Sequence, residues 1–307
     1  MNKKVIQNTN ISDSTSVAPL IVIVGPTASG KSVTAMRIAE EWGGEIICAD
    51  SRTIYKGMDI GTAKPSAEEQ ARVPHWGLDL VEPGDVFTAA DFQKYARQKI
   101  QEIRERGKVP MVVGGTGLYV DGLIFNYEFA PPQPELRVAL ETMTLDELKE
   151  YCKNNNVELP ENPENRRYVM RAIERKNVSG KRLNVPIDDC IIVGITTERE
   201  ELKRRIAHRS EQLFENGMVE EAKMLGEKYG WDSEAMTGNI YRLVKRFLDG
   251  EFDEAELKER FITSDWQLAK RQITWLKRNP YIHWAELNDA YTYIHEQLSM
   301  PPSDVSN

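Results

Sequence analysis

Four aliphatic or β-branched runs punctuate the chain: Leu20–Val24, Glu45–Ala49, Val109–Val113 and Cys190–Ile195. Each has strand length and none alternates in polarity, as expected of strands buried on both faces of a parallel sheet. Helical spacing of apolar residues fills Ser32–Trp42 and Ala89–Arg106 between them. This alternation predicts an α/β fold with a doubly wound parallel sheet. The pattern changes after Tyr127. Pro131, Pro132 and Pro134 interrupt the chain, and helices are predicted over Thr144–Asn154 and Asn165–Val178. The sheet pattern resumes at Cys190. Residues 128–188 therefore read as a helical subdomain inserted between a first core part, 19–127, and a core continuation with C-terminal helices, 189–299. From Glu198 onward the chain reads as almost wholly helical. Residues 1–18 and 300–307 read as loose tails.

Composition narrows the picture. The 307 residues carry a net charge of −8, which argues against a protein that coats nucleic acid nonspecifically; a nucleic-acid role must rest on local clusters. Cys48, Cys152 and Cys190 lie far apart with no CxxC pair, and His75, His208, His283 and His295 form no HExxH, so neither a zinc ribbon nor a disulfide framework is expected. No apolar run approaches the roughly 18 residues of a membrane span, and no signal-peptide core precedes Leu20. The expectation is a cytoplasmic protein with no membrane association. No obligatory protein partner is evident, so a monomer is expected.

The sharpest motif is Gly25-Pro26-Thr27-Ala28-Ser29-Gly30-Lys31-Ser32, which fits GxxxxGK[ST]. It follows an apolar strand and opens a helix, the context in which such a loop cradles phosphates. Inward backbone N–H groups and Lys31 would face a di- or triphosphate, and Ser32 would ligate a phosphate-bound magnesium ion. The expected architecture is accordingly a P-loop NTPase-like sheet. Yet the strand ending at Val113 runs into Gly114-Gly115-Thr116-Gly117 rather than a carboxylate. This counts against ordinary ATP hydrolysis. That tetrapeptide is either a plain turn or a ligand loop offering a hydroxyl. The strand Glu45–Ala49 delivers Asp50 to the carboxyl edge of the sheet, where it is a turn cap, a magnesium ligand substituting for the missing acid, or a base facing the phosphate loop.

Basic residues gather at three places. Arg205 and Arg209 share a helix face, where they are either solvated or functional. Arg167, Arg171 and Arg175 recur at i, i+4 and i+8, with Arg166, Lys176, Lys181 and Arg182 nearby. They form either a phosphate-backbone surface or a solvated face partnered by Glu164 and Glu174. Gln267, Lys270, Arg271 and Gln272 lie on a predicted helix with Leu268, Ile273 and Leu276 inward. Trp275 and Trp284 are expected to pack rather than stack on bases.

Taken together, GPTASGKS at 25–32, ADSRTIYKGMDIGTAKP at 49–65, VPH at 73–75, VGGTGLY at 113–119, NRRYVMRAIE at 165–174 and QLAKRQITWL at 267–276 resemble the tRNA dimethylallyltransferases of the bacterial type. The resemblance implies transfer of a dimethylallyl group from dimethylallyl diphosphate to N6 of adenosine 37, beside the anticodon, in tRNAs reading UNN codons. It implies Asp50 as general base and Thr116 and Arg209 at the reacting diphosphate. It places Gly25 to Ser32 on the diphosphate with Mg2+ at Ser32. Ser51, Arg52, Thr53, Arg167, Arg171, Gln267, Lys270 and Arg271 would then face tRNA. The alternatives are an adenine-nucleotide prenyltransferase, a P-loop small-molecule kinase and a tRNA-binding module. Departures from the family pattern are Trp76, Tyr168 and Ile240-Tyr241, each expected to alter nucleic-acid or substrate contacts, and a short 135–190 segment. Gly122 and the flanking prolines are candidate hinges for the insertion.

Overall fold

The computed structural model describes residues 18–131, 133–176 and 181–300. The expected tails lie outside the described residues except for Ala18 and Met300, as do 177 and 178 at the end of the second predicted insertion helix. In chain order the elements are β1 (Leu20–Val24), α1 (Lys31–Trp42), β2 (Gly44–Ala49), α2 (Ala67–Arg72), β3 (His75–Trp76), α3 (Ala89–Glu105), β4 (Val109–Gly114) and α4 (Gly117–Ile124). Then come α5 (Pro134–Glu141), α6 (Leu145–Asn154), α7 (Arg166–Glu174), β5 (Cys190–Ile195), α8 (Arg199–Glu215) and α9 (Met218–Tyr229). A 3-10 turn at Ala235–Thr237 precedes α10 (Asn239–Leu248), α11 (Glu254–Leu276), β6 (His283–Ala285) and α12 (Leu287–Ser299).

The strands form a six-stranded parallel sheet in the order β3-β2-β4-β1-β5-β6. Its period-two side chains divide cleanly between two helical layers. Leu20, Val22, Val24, Ile47 and Val112 pack under Phe92, Ala96 and Ile100 of α3 and Tyr119, Val120 and Leu123 of α4. Ile21, Ile23, Ile46 and Met111 pack under Ala35 and Ile38 of α1 and Ala290 and Ile294 of α12. All five residues of β1 are buried, which is why that run shows no polar alternation.

Two strands escape the sequence pattern. β3 has two residues and β6 three, too short to show a period; each is defined by backbone pairing at a sheet edge, Ile46 with His75 and Gly194 with Trp284. β6 also breaks the stretch expected to be helical after Glu198. In the 128–188 segment, Pro134 opens α5 as its first residue rather than merely interrupting the chain, since proline's missing N–H costs nothing there. Thr144 and Glu147 form a capping box on α6. Helices α5 to α7 bury their own cluster around Leu140, Leu148, Val169 and Ile173. Another cluster joins Ile54, Tyr55 and Met58 to α8–α11 through Leu213, Met236, Tyr241 and Phe261. Gly122 lies inside α4 against Phe129, whose ring occupies the space of a Cβ, so its place is packed rather than hinge-like.

Candidate active site

The carboxyl ends of β1, β2 and β4 deliver three loops to one edge. After β1, the phosphate loop closes on itself: Ser29 N donates to the Pro26 carbonyl at 3.2 Å. Ala28 and Gly30 both adopt left-handed backbone, φ 60° and 91°. Leu287 side-chain atoms lie 2.8 Å from where a Gly30 Cβ would be, so both conformation and space call for glycine. Lys31 Nζ donates to the Pro26 carbonyl at 3.2 Å. Burial lowers its pKa to about 8; Asp50 pulls upward and Arg209 pushes downward. Ser32, at the amino end of α1, is exposed.

Distant residues brace this loop. Arg205 donates to the Ser29 carbonyl at 3.2 Å and to Glu201 at 2.7 Å. Arg209 donates to Thr27 Oγ1 and lies 3.3 Å from Asp265 Oδ2. Thr27 N donates to Gln272 Oε1 at 2.8 Å. The Arg205–Arg209 face is therefore turned onto the phosphate loop and is not a solvated surface. Burial pushes the Asp265 carboxyl up, and Arg209 pulls it back. Sequence reading did not single out Asp265, and it offered Gln272 as a side chain that could hold tRNA rather than as a partner of the loop; their partners lie dozens to hundreds of positions away.

At the end of β2, Asp50 Oδ1 accepts from Arg52 N at 2.8 Å, a local turn cap that leaves Oδ2 without a partner within the turn. Thr116 Oγ1 accepts from Ser51 N at 3.1 Å, and Thr116 N donates to the Ala49 carbonyl at 3.2 Å, stitching the β2 and β4 loops together. The glycines beside Thr116 serve close packing. A Cβ on Gly114 would meet the Ala49 carbonyl oxygen at 2.1 Å, one on Gly115 the Gln272 amide at 2.4 Å, and one on Gly117 the Trp275 ring at 2.0 Å. Trp275 also donates to Asp121 at 2.7 Å, the packing role expected of it.

These loops open into one cavity of about 1460 Å³. Thr27, Ala28, Gly30, Lys31, Ser32, Asp50, Ser51, Arg52, Thr53, Thr116, Arg209 and Arg271 line it. Gly25, Pro26 and Ser29 belong to the same loop and do not line the cavity. Thr53 is buried and its hydroxyl has no hydrogen-bond partner among the described residues. Arg52 spans to the Glu234 and Ala235 carbonyls at 2.9 and 3.2 Å and to Thr237 Oγ1 at 3.1 Å, so part of its role is to hold that turn. The Asp59–Pro65 wall is fixed from within. Glu221 accepts from the amides of Asp59, Ile60 and Gly61 at 2.6 to 2.9 Å and from Tyr241 Oη at 3.0 Å. Lys64 reaches Asp59, Asp79 and the Tyr55 carbonyl.

Other sequence candidates stand apart from the cavity. Arg167 is exposed, 3.7 Å from Glu234, and Arg171 pairs with Glu174 at 2.8 Å. Arg166 donates to the carbonyls of Leu140, Glu141 and Met143, tying α7 to α5. Gln267 and Lys270 are exposed on α11, away from the cavity lining. Two family departures prove internal. Trp76 donates to Glu45 at 2.7 Å beneath Lys99, on the opposite side of β3 from His75, which lines the cavity. Ile240 and Tyr241 are buried in the α8–α11 cluster and at the same time border the cavity.

The IPP transferase family model matches residues 53–279. A tRNA dimethylallyltransferase of Anoxybacillus flavithermus is 37% identical over 282 residues, covering 88% of this chain and 91% of that one. Another, from Acetivibrio thermocellus, is 40% identical over 284 residues, covering 86% and 90%. The crystal structure of the tRNA delta(2)-isopentenylpyrophosphate transferase of Staphylococcus epidermidis superposes with a TM-score of 0.69 at 33% identity, over 91% of this chain and 98% of that one. Sequence likeness over nearly the whole length and a shared α/β fold agree: the chain belongs to the IPP transferase family, among the tRNA dimethylallyltransferases.

Proposed function

We propose that the chain transfers the dimethylallyl group of dimethylallyl diphosphate to N6 of an adenosine in tRNA, adenosine 37 of tRNAs reading UNN codons, releasing diphosphate. One observation carries the reading: the phosphate loop, Asp50 and Thr116 face a single cavity, while the β4 end that would supply a hydrolytic carboxylate is packed tight by glycines against Ala49, Gln272 and Trp275. Such a site grips a diphosphate and places the Asp50 carboxylate beside it, while the strand end that would carry a hydrolytic acid offers only glycines and Thr116.

The chemistry follows from the residues. The adenine N6 lone pair is delocalised, so N6 becomes a competent nucleophile only as its proton leaves. Asp50, capped on Oδ1, accepts that proton as the carbon–nitrogen bond forms and the carbon–oxygen bond to diphosphate breaks. Lys31, the loop amides and Arg209 stabilise charge growing on the leaving diphosphate. Thr116 Oγ1 accepts from Ser51 N, which leaves its O–H to donate to the diphosphate. Among the described residues no cluster of three His, Cys, Asp or Glu is placed to hold a metal. The exposed Ser32 hydroxyl beside the loop fits a magnesium ion held chiefly by phosphate oxygens and water, which would supply further charge neutralisation. Reaching Asp50 requires the adenine to leave the anticodon-loop stack, so the base is flipped into the cavity. Ser51, Arg52, Thr53 and Arg271 line its path; Arg167, Arg171, Gln267 and Lys270 hold the backbone outside. Among the described residues no helix is long and apolar enough to cross a membrane.

The test is transfer of label from dimethylallyl diphosphate to unmodified tRNA, with AMP in parallel, for wild type and Asp50→Ala. Label at adenosine 37, reduced about 10²- to 10⁴-fold in the variant, is expected. Label in AMP alone, or ATP turnover without prenyl transfer, overturns the reading.

A further inference from the structure

The cavity proposed to bind a diphosphate contains a feature that at first opposes an anion. The Asp265 carboxylate lines it, with its side chain only 7% exposed. A buried carboxylate is costly unless paired, and next to a diphosphate it is repulsive. Its ion-pair partner is Arg209, at 3.3 Å. Arg209 comes from α8 and Asp265 from α11, and the same guanidinium NH1 donates to Thr27 Oγ1 of the phosphate loop. Beneath them the two helices are locked by a small apolar cluster in which Leu202 and Ile206 of α8 meet Ala269 of α11, with Ala28 of the loop against it. Asp265 therefore sits on a rigid support, and Arg209 is held from two sides.

A guanidinium has five N–H donors in a planar fork. Among the described residues, Thr27 and Asp265 engage NH1 of Arg209 and no hydrogen bond reaches its other nitrogens. An arginine without such an anchor would lose side-chain freedom on meeting the ligand, which weakens binding. We propose that Asp265 is a positioning residue for diphosphate binding and transfer: it pins NH1 of Arg209 over Thr27 so that the remaining N–H donors face the diphosphate. Asp265 touches neither diphosphate nor tRNA and acts only through Arg209. This inference rests on the function proposed above and deepens its diphosphate site.

The test is a double-mutant cycle between Arg209 and Asp265. Two quantities are read, the Kd for inorganic diphosphate by calorimetry and kcat/KM for transfer. The variants are Asp265→Ala and the isosteric Asp265→Asn, each with and without Arg209→Ala. The expected result is a fall in kcat/KM of about thirtyfold for Asp265→Ala and about fivefold for Asp265→Asn, with diphosphate affinity falling in the same order. In the Arg209→Ala background neither substitution at 265 costs more than about twofold. A merely structural carboxylate would lower both backgrounds equally, and that additivity overturns the proposal. So does an Asp265→Ala protein that binds diphosphate as tightly as wild type, or more tightly, because the carboxylate would then act only as a repulsive charge. If Asp265→Ala does not fold, the Asp265→Asn arm decides by the same criteria. Wild-type protein that binds diphosphate but transfers no label would sink the functional reading, while the diphosphate cycle would still decide the role of Asp265.

Discussion

Helices α7 and α8 each carry arginines at i and i+4, Arg167 and Arg171 in one, Arg205 and Arg209 in the other, and the fold uses them in opposite ways. The α8 pair is turned inward: both reach the phosphate loop, and Arg209 is only 24% exposed. The α7 pair is turned outward: Arg167 is 72% exposed, and Arg171 spends its charge on Glu174 of its own helix. Spacing puts two guanidinia on one helix face; it does not say what that face meets. The meeting surface is set by packing. α8 lies against α11 and the phosphate loop, whereas α5 and α6 cover the apolar face of α7 and leave its arginines to solvent. Position relative to the sheet edge, not charge density, separates arginines fixed on the phosphate loop from arginines left at the surface.

The largest effect that could break this contrast is Arg209→Ala. Removing a cation aimed at developing charge in a partly enclosed site is expected to lower kcat/KM by about 10²- to 10³-fold. Arg209→Lys should recover little of it, because an ammonium cannot hold Thr27, Asp265 and a phosphate oxygen with one planar fork. Steady-state kinetics of both variants beside Arg167→Ala checks the prediction. If Arg209→Ala and Arg167→Ala lose comparable activity, the division between inward and outward arginines is wrong.

Sequence reading foresaw one side of this contrast better than the other, for a physical reason. The phosphate loop, Asp50 and Gly114 to Gly117 are each built from consecutive residues whose turn chemistry is local, so their shape is written in a short stretch. The doubly wound sheet was equally visible, because strands buried on both faces stay apolar throughout. What could not be read is everything that depends on one element meeting another. Asp265 meets Arg209 and Gln272 meets the loop across long sequence separations, and Glu221 gathers three amides from a loop some 160 positions away. Trp76 looks like an altered ligand contact in a string of residues but in space donates to Glu45, whereas Tyr241 both holds Glu221 and borders the cavity. β3 and β6 carry no pattern of their own because their partners define them.

A middle-sized effect sharpens the inward side. Lys31 has its pKa lowered to about 8, from burial first of all, with Arg209 pushing the same way. In the ligand-free protein it is charged below that pH and neutral above it. A bound diphosphate returns the counter-charge that burial removes, so binding draws a proton onto Lys31 when the pH lies above about 8. Affinity for a non-reacting diphosphate ester should therefore be flat below this point and fall as pH rises through it, to roughly a tenth of its neutral value near pH 9. Lys31→Arg keeps its charge throughout, so its profile should lose the step even if its affinity is lower. Calorimetric titration across this range reads both curves. A wild-type profile without the step, or an arginine variant that retains it, would mean that Lys31 stays charged in the free site.

The smallest effect belongs to the outward pair and separates its two members. Arg167 has one distant acidic neighbour, Glu234 at 3.7 Å, and is otherwise in solvent. Arg171 donates to Glu174, whose side chain is 6% exposed and also accepts from Arg137 at 3.0 Å. If both touch tRNA phosphates, Arg167→Ala should raise the KM for tRNA about threefold at low salt and flatten the plot of log affinity against log salt by about one unit. Arg171→Ala should do the same and also cost stability, because the buried Glu174 carboxylate loses one of the two ion-pair partners it has among the described residues; thermal melting should show that cost for Arg171→Ala and not for Arg167→Ala. Salt series on both variants, read beside their melting curves, distinguish the cases. An unchanged salt slope in both would remove α7 from the tRNA surface and leave Arg271, on the cavity rim, as the nearer cation for the anticodon loop.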